Sequence, residues 1–193
     1  MNVLNHTQAI SAILKGYPLA FQTDTLPAIG CKPEYSDKIY ELKKRSKNKA
    51  LIIMGAEIKQ LSDFVHKSAK EDFIKLGNEY WPGPLTLIIP TNHKKQRYLT
   101  SEDKTLGLRI PASPNARSLM LETGPLATSS ANISGSENLI NENQIAQNFP
   151  KLNFLGPLPW PKCSGKASTI VSWIETGQWK LIRQGEIIIS NLH

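Results

Sequence analysis

Uninterrupted apolar runs, separated by stretches of helical periodicity, constrain the fold of this chain more than any other feature. The run ALIIM at positions 50–54 contains no polar residue, as expected of a strand that is buried on both faces. A stretch with apolar residues at helical spacing begins near Ala9 and ends at Gly16. Because a sheet buried on both faces needs helices to cover it, this alternation predicts an α/β fold with a mixed sheet.

The same patterns predict the remaining elements. Further strands are expected at 19–21, 85–89, 106–110 and 126–129, with a closing hairpin from STIVSW and WKLIRQG about a turn at 175–177. Helices are expected after a cap at Ser36, over 58–65, over 73–80 after a cap at Ser68, after Ser113-Pro114, and over 141–148. WPGP at 81–84 predicts a turn, and 93–104 a polar loop. With no repeat and no interdomain linker, we expect a single domain over residues 1–193.

Composition narrows the choice of partners and compartment. The net charge is +7 over 193 residues, which favours contact with nucleotides, nucleic acid or another acidic surface, although charge alone does not exclude plain solubility. Cys31 and Cys163 form no disulfide framework, and no cluster of His, Cys or carboxylates has the spacing of a metal site. Without a secretory leader or an apolar run of membrane-spanning length, the protein is expected to be cytoplasmic, with no membrane contact.

The densest charge is the stretch KKRSKNK at 43–49, where five of seven residues are basic. Cations near the end of a helix are favoured by the helix dipole and are usually solvated, which is the more common interpretation of such a run. The functional alternative is a clamp for a polyphosphate, in which arginine binds phosphate in bidentate fashion and lysine acts as a point charge.

Small polar residues and two arginines lie at or in the predicted strands. Thr23, Asp24 and Thr25 come at a strand end, where open α/β sheets often bind ligands, but an ordinary turn has the same composition. Arg109 and Arg183 lie inside strands. Their side chains point either to solvent or towards the carboxylate of a substrate.

The stretch TSSANISG at 128–135 offers hydroxyl groups and the Asn132 amide to the oxygens of a phosphate or carboxylate, and a plain turn is again the alternative. The chain has no Walker A pattern, no GxGxxG and no GxSxG, and no histidine lies beside these motifs. The residue patterns alone therefore indicate a site for an anion and no more.

Six stretches that occur together, in a fixed order, resemble a known family. They are FQTDTLPAIG, KKRSKNKALIIM, YWPGPLTLIIP, LGLRIP, TSSANISG and ASTIVSW…LIRQGEI, and they extend from about residue 7 to residue 187. Each is weak alone, but the ordered set resembles the YrdC-like family of threonylcarbamoyl-AMP synthases in its short, single-domain (TsaC-type) form. The resemblance implies a twisted mixed parallel/antiparallel sheet, flanked by helices, around a positively charged cavity, and no second C-terminal domain.

The resemblance also implies an activity. Members of this family make threonylcarbamoyl-adenylate from L-threonine, bicarbonate and ATP, with Mg²⁺ accompanying the ATP, and they release pyrophosphate. Other proteins then transfer the threonylcarbamoyl group to the adenosine next to the anticodon of certain tRNAs. Matched by position, the ATP-binding residues are Lys43, Arg45, Lys49, Ser130, Asn132 and Arg183, with Lys43 and Arg45 also catalytic. The threonine-binding residues are Thr23, Arg109, Thr128 and Ser168.

Some positions depart from the family pattern, and one other function stays open. Gln22 and Pro27 replace a proline and an aromatic residue, and Met54 stands where longer relatives often carry a histidine that touches threonine. The alternative function is an RNA-binding module that uses the basic cavity without catalysis, because family members have been linked to tRNA and double-stranded RNA. Such a module would lose affinity steeply with salt and would release no pyrophosphate.

Overall fold

The computed structural model describes residues 1–91 and 104–189, in which strands and helices alternate along the chain. The described strands are β1 (Asn2–Leu4), β2 (Leu19–Phe21), β3 (Ala28–Cys31), β4 (Ile52–Met54), β5 (Leu85–Pro90), β6 (Thr105–Arg109), β7 (Leu126–Ser130), β8 (Asn153–Leu155), β9 (Thr169–Glu175) and β10 (Gln178–Arg183). The described helices are α1 (His6–Leu14), α2 (Asp37–Lys43), α3 (Ile58–Ser62), α4 (Lys70–Tyr80), α5 (Pro114–Thr123) and α6 (Glu142–Asn148). None of these helices is long and apolar enough to cross a membrane.

All the described strands join one sheet, in the order β1-β8-β2-β3-β7-β4-β6-β5-β9-β10. β8 runs parallel to both β1 and β2, β4 runs parallel to β6, and β5 runs parallel to β9. The other neighbouring pairs are antiparallel. This mixed sheet with its flanking helices confirms the predicted fold class.

The two faces of the sheet carry separate cores. On β2, Leu19 and Phe21 pack with Ile13 of α1 and Leu119 of α5, whereas Ala20 packs into the larger core on the opposite face. Neighbouring side chains of a strand point to opposite faces, which explains this division. The face that α1 and α5 cover also carries Ile52 and Met54 of β4, and it is the face on which the cavity described below lies.

Most of the predicted elements are confirmed, although their ends differ by a few residues. The hairpin of β9 and β10 forms as expected, and the Ser113 hydroxyl caps α5 by accepting a hydrogen bond from the Ala116 N–H. The predicted cap of α4 at Ser68 is wrong, because Ser68 lies in a 3-10 turn whose own cap is the His66 ring, and α4 begins at Lys70. The predicted helix over 58–65 ends at Ser62. Residues 93–103 of the predicted polar loop lie outside the described residues.

Three strands, β1, β3 and β8, were not predicted. Each is only three or four residues long. β3 lies directly after Pro27 and contains Gly30, and neither residue type favours a strand. These strands form because neighbouring strands pair with them: β1 and β2 flank β8, and β2 and β7 flank β3.

Candidate active site

An open cavity of about 400 Å³ lies over one face of the sheet, within the size range of sites for small molecules. Thr128 of β7, Ile52 of β4 and Gly107 of β6 pair in the sheet and form one row across the cavity floor. Gly107 adds no side chain to this row, which leaves room above it for a ligand. On β4 and β6, alternate residues therefore build the floor.

Among the described residues, three arginines line the cavity, and each comes from a different part of the chain. Arg45 follows α2, Arg109 ends β6, and Arg183 ends β10. Among the described residues no carboxylate lines the cavity. The lining therefore carries a positive potential that attracts anions.

Arg109 is held in a fixed orientation by three contacts. It is only 3% exposed. Its Nε donates to the carbonyl oxygen of Gly83 at 3.0 Å, its Nη1 to the hydroxyl of Thr25 at 2.8 Å, and its Nη2 to Oδ1 of Asp24 at 2.8 Å. Burial lowers the pKa of Arg109, and the carboxylate of Asp24 opposes that shift. The stretches FQTDT, WPGP and LGLRI thus converge on one guanidinium.

Lys43 joins the basic stretch to the stretch TSSANISG. It ends α2, is 1% exposed, and donates a hydrogen bond from its side-chain nitrogen to the carbonyl oxygen of Ser130. In the other direction, the backbone N–H of Ser134 donates to the carbonyl oxygen of Lys43 at 3.1 Å. Burial, and to a smaller extent the charge of Arg45, lower the pKa of Lys43 to about 7. Because a neutral amine still has N–H donors, the contact with Ser130 survives in both charge states.

Arg45 stabilises the loop that connects α2 to β4. Its Nε donates to the carbonyl oxygen of Lys49 at 2.9 Å and its Nη2 to that of Ala50 at 2.8 Å. Burial lowers the pKa of Arg45, while nearby Tyr40 raises it. Both acceptors are neutral carbonyl groups, so in the described part of the chain the positive charge of Arg45 has no carboxylate partner.

Asn132 stabilises the turn that follows β7. The hydroxyl of Ser130 donates to Oδ1 of Asn132 at 2.6 Å, and Nδ2 of Asn132 donates to the carbonyl oxygens of Ser136 and Ile133 at 2.9 and 3.1 Å. Ser130 lines the cavity, whereas Asn132 lies behind it. Asn132 therefore fixes Ser130 and the backbone of the turn together.

Ser168 and Arg183 meet at the opposite side of the cavity. Nε and Nη2 of Arg183 donate to the carbonyl oxygen of Ser168 at 3.2 and 2.9 Å, and the Ser168 hydroxyl shares a hydrogen bond of 2.8 Å with Thr86. The segment after β10 packs back onto Ser168, and a Cβ on Gly185 would overlap the backbone of Ala167 and Ser168. Only glycine allows this close approach.

Six of the ten predicted site residues line the cavity: Arg45, Arg109, Thr128, Ser130, Ser168 and Arg183. Lys43 and Asn132 lie directly behind Ser130 and contact it. Thr23 is fully buried and donates its hydroxyl to the carbonyl oxygen of Leu26 at 2.7 Å, and Lys49 is exposed. The ligand-binding roles given to all ten stay predictions.

Thr25 and Ser129 line the cavity without having been predicted. Thr25 belongs to the same polar turn as Thr23, and sequence alone does not tell which of the two hydroxyls faces the cavity. Ser129 lies between Thr128 and Ser130 on a strand, where alternation by itself would turn its side chain away from the cavity. It pairs with Ile29 of β3 and is half-buried.

The chain matches a family model. The model is that of the Sua5, YciO and YrdC proteins, described as telomere recombination, and the match extends over residues 11–185. The chain belongs to the Sua5/YciO/YrdC family. The resemblance found in the sequence is therefore confirmed.

Named relatives agree with this membership. The threonylcarbamoyl-AMP synthase of Pseudomonas putida (strain GB-1) is 31% identical over 145 residues, which cover 74% of this chain and 78% of that protein. The structure of P. abyssi Sua5 complexed with L-threonine is 27% identical, with a TM-score of 0.85, and the match covers 96% of this chain and 58% of Sua5. The structure of E. coli YciO is 22% identical, with a TM-score of 0.79, and the match covers 95% of this chain and 94% of YciO. This match shows that the two proteins share a fold.

The Sua5/YciO/YrdC fold thus extends over nearly all of this chain, whereas the chain spans less than two thirds of Sua5. The six sequence stretches that carried the resemblance contribute all three arginines of the cavity. In this member of the family, the motifs meet around one cationic cavity.

Proposed function

We propose that this Sua5/YciO/YrdC protein is a threonylcarbamoyl-AMP synthase that acts as a single domain over residues 1–193. It makes threonylcarbamoyl-adenylate from L-threonine, bicarbonate and ATP and releases pyrophosphate. The observation that carries the proposal is the meeting of Arg45, Arg109 and Arg183 in one cavity of about 400 Å³. The name of the relatives that are 31% identical supports it.

The reaction needs positioning and positive charge rather than a protein nucleophile. The amine of threonine attacks the carbon of bicarbonate, and loss of water leaves a carbamate. A carbamate oxygen then attacks the α-phosphorus of ATP, and the bond from that phosphorus to the bridging oxygen breaks, so that pyrophosphate leaves. Both partners of the second step are anions, which preorganised cations bring together and stabilise.

The ten predicted site residues divide between the two substrates. Lys43, Arg45, Lys49, Ser130, Asn132 and Arg183 bind ATP, and Thr23, Arg109, Thr128 and Ser168 bind threonine. Lys43 and Arg45 stabilise the charge that develops on the phosphates, and Arg109 pairs with the carboxylate of threonine. Mg²⁺ arrives with the triphosphate, because phosphate oxygens are the hard ligands that this ion prefers.

The product implies which proteins act next and in which cell compartment the reaction takes place. Threonylcarbamoyl-adenylate passes to the proteins that transfer the threonylcarbamoyl group to tRNA. The chain works in the cytoplasm, where ATP, threonine and tRNA are present together.

Pyrophosphate release tests the proposal directly. Protein, ATP, Mg²⁺ and bicarbonate are assayed with L-threonine, with L-serine and without an amino acid, and release is expected to depend on threonine. Release that is independent of threonine contradicts the function. Lys43→Ala and Arg45→Ala are expected to abolish it, and Lys151→Ala, at an exposed position, to leave it unchanged. Full activity in both cavity variants contradicts their roles.

RNA binding without catalysis is the second candidate, and the net charge of +7 favours it. It predicts an affinity for tRNA that falls steeply with salt. It also predicts that Ser130→Ala leaves that affinity unchanged, since a non-specific RNA site depends on basic residues. Threonine-dependent pyrophosphate release rules this candidate out as the whole function.

A further inference from the structure

The three cavity arginines differ in one respect: only Arg109 has a carboxylate partner within the described residues. Its ion pair with Asp24 has an N–O distance of 2.8 Å, and the two side chains are 3% and 18% exposed. Arg183 donates to the carbonyl and hydroxyl oxygens of Ser168, and Arg45 donates to backbone carbonyls. The cavity therefore contains two uncompensated guanidinium groups and one that is nearly neutralised.

Asp24 is itself held firmly. Its Oδ1 accepts from Arg109 and, at 2.9 Å, from the backbone N–H of Ala112, and its carbonyl oxygen accepts from the N–H of Ser164 at 3.1 Å. Its Oδ2 is buried and has no hydrogen-bond partner in the part of the chain that the structure describes. These contacts hold the carboxylate of Asp24 next to Arg109.

The geometry of Arg109 defines what else it can bind. A guanidinium has five N–H groups in one plane. Gly83, Thr25 and Asp24 take three of them, one from each nitrogen. Within the described contacts, one N–H remains on Nη1 and one on Nη2. A carboxylate placed between Nη1 and Nη2 accepts one hydrogen bond from each nitrogen in a planar arrangement.

We propose that Asp24 reserves the Arg109 subsite for the amino acid and excludes the polyphosphate from it. Asp24 does so in two ways: it fixes the direction of the two remaining N–H groups, and it cancels the charge that would otherwise draw a phosphate to Arg109. The polyphosphate then goes to Arg45 and Arg183, whose charges are uncompensated. This assignment rests on the proposed function, because it takes threonine and ATP as the two ligands.

Charge is the property that separates the two ligands. A polyphosphate carries several negative charges and gains most from net positive charge, whereas threonine is a zwitterion and gains mainly from a well-placed pair of donors. Without Asp24, Arg109 would become a third uncompensated cation beside Arg183, whose charge already acts on it. Polyphosphate and amino acid would then compete for the same subsite.

The test measures L-threonine binding by calorimetry, without ATP and at constant ionic strength, with and without saturating inorganic pyrophosphate. In wild-type protein, pyrophosphate is expected to change the threonine Kd by less than about twofold, within the spread of non-coupled sites. In Asp24→Asn, the Arg109 guanidinium loses the charged acceptor that orients it, and for this reason the Kd for threonine is expected to rise about tenfold. Pyrophosphate is expected to raise it further, as a competitor.

Two more variants separate charge from orientation and control for the substitution itself. Thr25→Val removes one acceptor of Arg109 but keeps the ion pair, so threonine is expected to bind more weakly without competition from pyrophosphate. Asp72→Asn is the matched control: Asp72 also accepts two hydrogen bonds, from Trp173 and Gly177, but does not line the cavity. It is expected to behave as wild type.

The outcomes separate a failure of the proposed function from a failure of the role given to Asp24. Wild-type protein that binds no threonine overturns the proposed function. Wild-type protein in which threonine and pyrophosphate already compete overturns the role of Asp24 alone. An Asp24→Asn protein with unchanged threonine affinity and no competition does the same. If Asp24→Asn does not fold, as judged by thermal melting, the wild-type and Thr25→Val measurements decide, because unchanged threonine affinity in Thr25→Val also contradicts the assignment.

Discussion

The side-chain nitrogen of Lys43 donates a hydrogen bond to the backbone carbonyl of Ser130, 87 residues further along the chain. This contact places a nearly fully buried amine under the end of β7, where the strand enters the cavity. The position of Ser130 at the cavity therefore depends on a residue from the basic stretch. The two motifs form one structural unit rather than two separate patches.

The buried amine predicts a stability that depends on pH. In the unfolded chain Lys43 keeps its proton up to about pH 10.4, whereas in the folded protein its pKa is about 7. Between these values the unfolded state binds more protons, so the free energy of unfolding rises with pH, by at most about 1.4 kcal/mol per unit. Below this window both states are protonated and the dependence disappears. Lys43→Met is expected to remove the rise, measured by urea unfolding at about pH 7 and about pH 9.

Other groups titrate over the same range, so the comparison requires a matched lysine. Lys151 is exposed, and Lys151→Met is expected to follow the wild-type pH dependence. Identical pH profiles for wild type and Lys43→Met would show that the Lys43 amine is not desolvated.

Arg109→Lys tests the orientation of the guanidinium. An ammonium group cannot reach Gly83, Thr25 and Asp24 in the planar arrangement that Arg109 uses. The KM for threonine is expected to rise by about 10- to 100-fold, with a smaller change in the KM for ATP. Arg117→Lys is the control, because Arg117 donates to the carbonyl of Ala56 away from the cavity. Equal effects on both substrates would speak against a threonine-specific role.

Asn132→Ala tests a residue that acts through its neighbours. It removes the acceptor of Ser130 and the donors to Ile133 and Ser136, so the turn after β7 loosens. ATP is expected to bind about tenfold more weakly, as for the loss of one or two hydrogen bonds. Ser136→Ala should bind ATP normally, because Ser136 contributes its backbone carbonyl to this network. Calorimetric titration with ATP distinguishes the two, and a normal affinity in Asn132→Ala argues against the role.

Gly185→Ala tests the close packing of the segment after β10. The added methyl group would overlap the backbone of Ala167 and Ser168, and overpacking of this kind costs about 1–3 kcal/mol. Threonine affinity is expected to fall as well, because Ser168 shifts. Gly177→Ala is a useful contrast: Gly177 has a φ of +76° but open space around its Cβ position, so the variant is expected to lose about 1–2 kcal/mol of stability through its left-handed backbone and no affinity. Threonine binding and thermal melting are measured on both.

Sequence patterns predicted the helices and strands that form because of their own local sequence. Apolar runs predicted β4 and β5, and the order of serine and proline predicted the start of α5. β3 and β8 could not be found in this way, since they are short and depend on partners far away in the chain. At the site, Thr128 was predicted from its position in the family motif, whereas nothing in the turn that holds Thr23 and Thr25 tells which hydroxyl faces the cavity, so only the structure shows that Thr25 meets Arg109.

The strand pairing affects how the protein folds while it is being synthesised on the ribosome. Among the described strands, β1, which begins at Asn2, pairs with β8 at Asn153–Leu155, and the cavity lining includes Ser168 and Arg183. Contacts of such long range slow folding, because distant segments must meet before they are stabilised. The nascent chain therefore carries β1 unpaired until β8 has been made, and a ligand has no finished site to bind until Arg183 has been added.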